Sequence, residues 1–117
     1  MHLLDTDTLT HLYAGNTNVI ARLNAVEDSE VGITIITKAE MLRGRIEYLI
    51  KAENRESLLK AQELLFRTEE LLAELLIVPI SQKAADEFER LKKVSKLSKI
   101  GRADLLIASI SLANRAT

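Results

Sequence analysis

The sequence has 117 residues, which is enough for one domain but not for two independent hydrophobic cores. Apolar residues make up 47% of it and charged residues 28%, a composition that is typical of a folded globular protein and excludes a disordered chain. The net charge is -1 and aromatic residues make up only 3%, which excludes a generally basic surface or an aromatic platform for nucleic acids.

The chain has no cysteine, which excludes disulfides, thiolate zinc sites and cysteine nucleophiles. Asp5 stands where a secretory signal would be apolar. The longest apolar stretches, 75–80 and 105–110, are far shorter than the roughly 20 residues that a membrane helix requires. We therefore expect a cytoplasmic protein with no membrane contact.

The first part of the chain predicts two strands and the helices between them. Leu3-Leu4 is a short apolar run that ends at Asp5 and precedes predicted helices over 8–13 and about 18–26. Residues 31–36 are apolar and β-branched, which is typical of a buried strand.

The middle of the chain predicts a helical pair and a third strand. Thr37 is followed three residues later by Glu40, a capping-box pattern that predicts the start of a helix running to about residue 52. A longer helix is predicted from about 55 to 76, with leucines in neighbouring rows. Residues 77–80 form a third apolar run.

The last part of the chain predicts two further helices. Ser81 is a plausible N-cap for a helix to about residue 97, Gly101 interrupts the chain, and a final helix covers 103–115. Strands that alternate with helices imply parallel pairing and a sheet covered on both faces. The predicted fold is therefore α/β, a three-layer α/β/α arrangement with a short parallel sheet.

Three acidic residues fall where ligands bind in such a fold, at the carboxyl ends of the strands and the helix N-termini. Asp5 ends the first strand, whereas Glu40 and Asp104 lie in the first turns of two helices. Carboxylates this close repel one another unless a cation lies among them, and oxygen ligands select Mg²⁺ or Mn²⁺. Such a site suits phosphodiester hydrolysis, because the ion polarises a phosphoryl oxygen and stabilises the leaving oxygen.

Each acid also has a purely structural explanation. Asp5 is able to cap the turn after its strand, and Asp7 is well placed as the N-cap of the helix over 8–13. Glu40 would complete the capping box, and Asp104 would gain from the helix dipole. Only the convergence of the acids favours a metal site.

Basic residues flank the last of these acids. Lys92, Lys96 and Lys99 share a helix face if the helix extends that far, and Arg102 lies nearby. Such a row is commonly a solvated helix face, but beside a carboxylate cluster it would hold a polyanion against the metal.

Three stretches of the sequence match motifs of one family in order and spacing. They are residues 3–9 (LLDTDTL), 31–44 (VGITIITKAEMLRG) and 101–108 (GRADLLIA). Together they resemble the PIN-domain ribonucleases, and specifically the VapC-type toxins of toxin–antitoxin pairs. In this family's pattern, Asp5, Glu40 and Asp104 correspond to catalytic Mg²⁺ ligands.

The resemblance implies a metal-dependent endoribonuclease that cuts cellular RNA, is neutralised by a cognate antitoxin and forms a homodimer through its helices. Asp7, Thr37 and Arg102 are further candidate site residues. Members of the family continue past a stretch like 113–117 into another strand and a further acid. We therefore expect residues 1–117 to form a single PIN-like domain that lacks this last strand.

Two other functions are compatible with the same residues. A PIN-like module with impaired catalysis would only bind RNA or a protein partner. A haloacid-dehalogenase-like phosphatase would use Asp5 as nucleophile, Asp7 as acid/base and Thr37 in its second motif, although the usual Gly-Thr after the second Asp is absent.

Overall fold

The computed structural model describes residues 2–4, 31–94 and 100–114, without the side chains of His2 and Val31. The helices predicted over 8–13 and 18–26 lie outside these residues.

The described strands form one parallel sheet of three strands in the order β1-β2-β3. The strands are β1 (His2–Leu3), β2 (Val31–Thr34) and β3 (Leu76–Val78). Gly32 of the central strand is paired with Leu3 on one side and with Leu76 on the other. The predicted parallel sheet is therefore confirmed.

The helices pack in two pairs. They are α1 (Ile35–Lys51), α2 (Arg55–Ala73), α3 (Gln82–Lys92) and α4 (Arg102–Asn114). The α1 helix packs along α2, α3 packs along α4, and α1 also touches α4.

Two hydrophobic clusters cover the two faces of the sheet. Ile33 packs with Met41 and Leu72 from the α1–α2 pair. Ile77 of β3, which pairs with Ile33, packs against the same cluster. The next residue of β3, Val78, packs on the other face with residues of the α3–α4 pair, including Ile110. Successive strand residues point to opposite faces, so the sheet lies between two helical layers. This arrangement confirms the three-layer α/β/α prediction.

The junction between β2 and α1 differs from the prediction. The strand ends at Thr34, not at Ile36, and Thr34 is the N-cap of α1. Its Oγ1 accepts the backbone N–H of Thr37 at 3.1 Å, which satisfies one of the donors left unpaired at a helix start. The predicted capping box of Thr37 and Glu40 is therefore wrong.

The other helix boundaries follow from caps and strand pairing. Ser81 is the N-cap of α3, as predicted, and its Oγ accepts the N–H of Ala84 at 3.1 Å. The α2 helix ends at Ala73 rather than near residue 76, because Leu76 already pairs with β2. None of the helices in the described part of the chain combines the length and hydrophobicity needed to cross a membrane.

Candidate functional site

A groove of about 290 Å³ lies between the N-terminal halves of α1 and α4. Its lining residues are Ile36, Ala39, Glu40, Arg43, Arg102, Ala103 and Leu106. Three of these seven side chains carry a formal charge, and the others are apolar. As far as the described residues show, the groove therefore combines one carboxylate with two guanidinium groups and apolar side chains.

Glu40 is half-buried and belongs to the second turn of α1, not to the first turn as predicted. It shares the groove with Ile36 and Arg43, which lie four residues before it and three residues after it on the same helix face. The cap of α1 uses Thr34 and the N–H of Thr37, so capping does not explain this carboxylate. Within the described residues, Glu40 also forms no ion pair.

Asp104 lies in the first turn of α4, as the sequence predicted. The helix begins at Arg102, and the carbonyl oxygen of the preceding Gly101 accepts the N–H of Leu105 at 3.0 Å. The Asp104 side chain is exposed and turns back towards Gly101, its Oδ2 lying 4.0 Å from the position that a Cβ on this glycine would take. Asp104 directly follows Ala103, a groove residue, but does not itself line the groove.

Two arginines bring positive charge to the groove. Arg43 is exposed and lies 3.8 Å from Glu47 through its Nε. Arg102 begins α4, and its guanidinium carbon lies over the ring of Phe88, 5.8 Å from the ring centre. Arg102 was a predicted site residue, whereas Arg43 was missed. Its spacing of three residues from Glu40 on a predicted helix was the available signal.

Thr37 is buried and turned into the α1 cap rather than into the groove. Its Oγ1 lies 3.2 Å from Oγ1 of Thr34, and its backbone N–H donates to the same atom. Its predicted role in the site remains a prediction, but the structure shows that it supports the N-terminus of α1.

The lysine row is not continuous along α3. This helix ends at Lys92, not near residue 97 as predicted. Lys92 itself is bound to Glu89 at 3.3 Å and lies over the ring of Phe88. Lys96, Lys99, Asp5 and Asp7 lie outside the described residues, and their roles remain predictions.

The donors available near the groove suit a hard divalent cation. Glu40 and Asp104 offer carboxylate oxygens, and the described residues that line the groove include no histidine or cysteine. Among residues 2–4, 31–94 and 100–114, no three acidic, histidine or cysteine side chains are grouped closely enough to hold a metal ion. A complete ligand set would therefore need a further donor, and Asp5 is the predicted one.

Comparison with known families decides the assignment, because the sequence matches the PIN domain over residues 2–117. The chain belongs to the PIN domain family. PIN domains are generally nucleases and usually use divalent metal ions. This membership confirms the resemblance found in the three sequence motifs and favours a nuclease over the phosphatase alternative.

Solved structures share the PIN fold over nearly the whole chain. A structure of VapBC2 from Rickettsia felis, bound to a DNA fragment from their promoter, has a TM-score of 0.76 and 22% identity, over 98% of this chain and 82% of that one. A structure of FitAB bound to the IR36 DNA fragment has a TM-score of 0.70 and 26% identity, and the match covers 99% of this chain and 81% of that one. A structure of FitAcB from Neisseria gonorrhoeae has a TM-score of 0.67 and 23% identity, and the match covers 99% of this chain and 84% of that one. No curated protein sequence gives a significant match.

Proposed function

We propose that this PIN domain is a Mg²⁺- or Mn²⁺-dependent endoribonuclease that hydrolyses phosphodiester bonds of cellular RNA in the cytoplasm. It would act as the toxin of a toxin–antitoxin pair. One observation carries the proposal: in a chain of this family, Glu40 faces a groove that it shares with Arg43 and Arg102, and no cap or described ion pair accounts for its charge.

The proposed metal ligands and catalytic residues are Asp5, Glu40 and Asp104. The position of Glu40 in the groove and of Asp104 at the start of α4 supports this set, and Asp5 comes from the sequence motif. A divalent ion bound there supplies positive charge that polarises a phosphoryl oxygen and stabilises the leaving oxygen. The carboxylates would hold the ion in place. Because Glu40 is half-buried, its side chain has less freedom to rotate and less contact with water than an exposed one.

The two groove arginines would hold the RNA backbone beside the carboxylates. Guanidinium groups bind phosphate through two parallel N–H donors, which fixes the position of the phosphate as well as attracting it. Asp7 and Thr37 remain secondary candidates, and Lys92, Lys96 and Lys99 remain candidates for contacts with more distant phosphates. The Lys92 ammonium would first have to leave Glu89.

A cognate antitoxin is the proposed protein partner, and a homodimer is the proposed assembly. The VapBC and FitAB structures that resemble this chain are toxin–antitoxin complexes. The α1–α2 pair supports a protein interface, because it exposes large apolar side chains that its own core does not cover. The most exposed of them are Ile50 at 75%, Leu59 at 58% and Phe66 at 54%.

The proposal is tested by cleavage of single-stranded RNA with Mn²⁺, in parallel with calorimetric titration of Mn²⁺ into the protein. We expect Asp5→Asn, Glu40→Gln and Asp104→Asn each to abolish cleavage and weaken Mn²⁺ binding while the circular dichroism spectrum stays that of the parent. Glu70→Gln is the matched control, since Glu70 is an exposed acid on α2, and it should retain full activity.

Two results would overturn the proposal. If Asp5→Asn or Asp104→Asn cuts RNA as fast as the parent, the metal site is wrong. If the parent binds RNA but does not cut it with Mg²⁺ or Mn²⁺, the chain is a PIN domain that only binds.

A further inference from the structure

Phe88 of α3 contacts two cationic side chains, Lys92 and Arg102, of which only Arg102 lines the groove. The Arg102 guanidinium carbon is 5.8 Å from the ring centre and the Lys92 ammonium is 5.7 Å from it, both within cation–π range. Phe88 is half-buried and does not line the groove. Arg102 does line it, opposite Glu40 on α1.

Helix stability accounts for the position of the cation at Lys92 but not for that at Arg102. Lys92 ends α3, where the negative end of the helix dipole favours a cation, and it pairs with Glu89 at 3.3 Å. Arg102 begins α4, where the dipole disfavours a cation. Within the described part of the chain, no carboxylate lies within ion-pair distance of Arg102. The ring of Phe88 is therefore its one described charge-stabilising contact.

We propose that Phe88 is a positioning residue, which holds the guanidinium of Arg102 at the edge of the groove so that it binds a phosphate of the RNA. This inference rests on the proposed function. A cation–π contact with an aromatic ring does not use the N–H donors of a guanidinium as hydrogen bonds to a carboxylate do. A carboxylate partner would instead consume those donors. An aromatic ring thus restricts the arginine without competing with the phosphate for hydrogen bonds.

The expected effect is on RNA binding rather than on the chemical step, because Phe88 does not touch the groove. Loss of an exposed cation–π contact corresponds to an affinity change of about two- to fivefold. We therefore expect Phe88→Leu to raise KM for a single-stranded oligoribonucleotide by about two- to fivefold, with kcat unchanged.

The test is a double-mutant cycle of Phe88→Leu and Arg102→Gln, measured by steady-state cleavage of a fluorescein-labelled oligoribonucleotide with Mn²⁺. In the Arg102→Gln background, Phe88→Leu should have no further effect on KM, because Arg102 is the groove residue that the ring contacts. Phe88→Tyr keeps an aromatic face and should restore the parent KM. Tyr48→Leu, an exposed aromatic on the far part of α1, is the control and should match the parent.

The outcomes separate this inference from the proposed function. An unchanged KM in Phe88→Leu, or the same rise in both backgrounds, overturns the positioning role even if Glu40→Gln abolishes cleavage. A parent that does not cut RNA overturns both. If Phe88→Leu loses the circular dichroism spectrum of the parent, Phe88→Met takes its place in the cycle. In addition, the side-chain protons of Arg102 in the parent should show upfield ring-current shifts, and their absence contradicts the contact itself.

Discussion

Thr34 caps α1 by accepting the backbone N–H of Thr37 on its Oγ1 at 3.1 Å. Thr34 is buried, so this hydrogen bond is sheltered from water. Because the helix starts at this threonine, Glu40 lies in the second turn and is not needed to complete a cap. The cap thus separates the residue that stabilises the helix start from the carboxylate proposed to hold the metal.

This separation predicts different effects on stability for a substitution at the cap of α1 and for one in its second turn. Thr34→Val keeps the shape of the side chain but removes the cap, and it should lower the free energy of unfolding by about 1 kcal/mol, within a range of about 0.5–2 kcal/mol. Glu40→Gln should change it by less than about 0.5 kcal/mol, as expected for a side chain outside any cap or ion pair. Urea unfolding followed by circular dichroism measures both.

Thr34→Ser is the control for the first substitution, since it keeps the hydroxyl acceptor and should unfold closer to the parent than Thr34→Val. A larger loss of stability in Glu40→Gln than in Thr34→Val would contradict the observed cap and restore the one between Thr37 and Glu40.

The sequence could not locate this helix start because its local signals were ambiguous. Ile35 and Ile36 are β-branched and extend the apparent strand, and Thr37 with Glu40 forms a complete capping pattern. The decisive constraint is non-local: β2 is paired with β3 only as far as Thr34 and Val78. Pro79 follows Val78 and has no N–H to continue the ladder.

Other parts of the fold were predictable because their signals agreed. Apolar runs of strand length alternate with long helical patterns, which was enough for a parallel sheet between helical layers. Arg43 shows the limit of such reasoning. It was not among the predicted site residues, and only the packing of α1 beside α4 places it in the same groove as Arg102.

Gly32 provides a prediction about the centre of the sheet. A Cβ on Gly32 would overlap the carbonyl oxygen of Leu76 and lie only 3.0 Å from the Leu76 Cβ. Both contacts belong to the paired strand, so the neighbour has little room to move. Gly32→Ala should therefore lower the free energy of unfolding by about 1–3 kcal/mol, as overpacking does.

Gly44 is the matched control, because it lies inside α1 and an added Cβ meets no atom within 4 Å. Gly44→Ala should raise the free energy of unfolding by about 0.5–1 kcal/mol through its higher helix propensity. Thermal unfolding of both variants gives the comparison. Equal effects of the two substitutions would show that the β2–β3 contact is not as close as described.

Thr68 gives a prediction about the contact between α1 and α2. Its buried hydroxyl donates to the carbonyl oxygen of Leu64 at 2.8 Å and accepts the Nε–H of Arg45 at 3.1 Å. Thr68→Val removes this acceptor for a charged donor and should cost about 1.5–3 kcal/mol of unfolding free energy. Ser111 makes the same bond to the carbonyl four residues back, but no second hydrogen bond is described for it. Ser111→Ala should therefore cost less than half as much in the same urea titration.

The groove arginines differ from other exposed arginines because they line the groove that is proposed to bind RNA. The salt dependence of RNA binding tests this difference. Arg43 and Arg67 are closely matched: both are exposed, and each lies 3.8 Å from a glutamate four positions away on its helix. Only Arg43 lines the groove.

For a single strand, each phosphate contact contributes about 0.7 to the slope of log affinity against log salt concentration. With the Glu40→Gln protein as a non-cleaving background, Arg43→Gln should reduce that slope by about 0.7, whereas Arg67→Gln should leave it unchanged. Fluorescence anisotropy of a labelled oligoribonucleotide at several salt concentrations measures the slope. Equal slopes for the two variants would mean that the RNA does not follow the groove between α1 and α4.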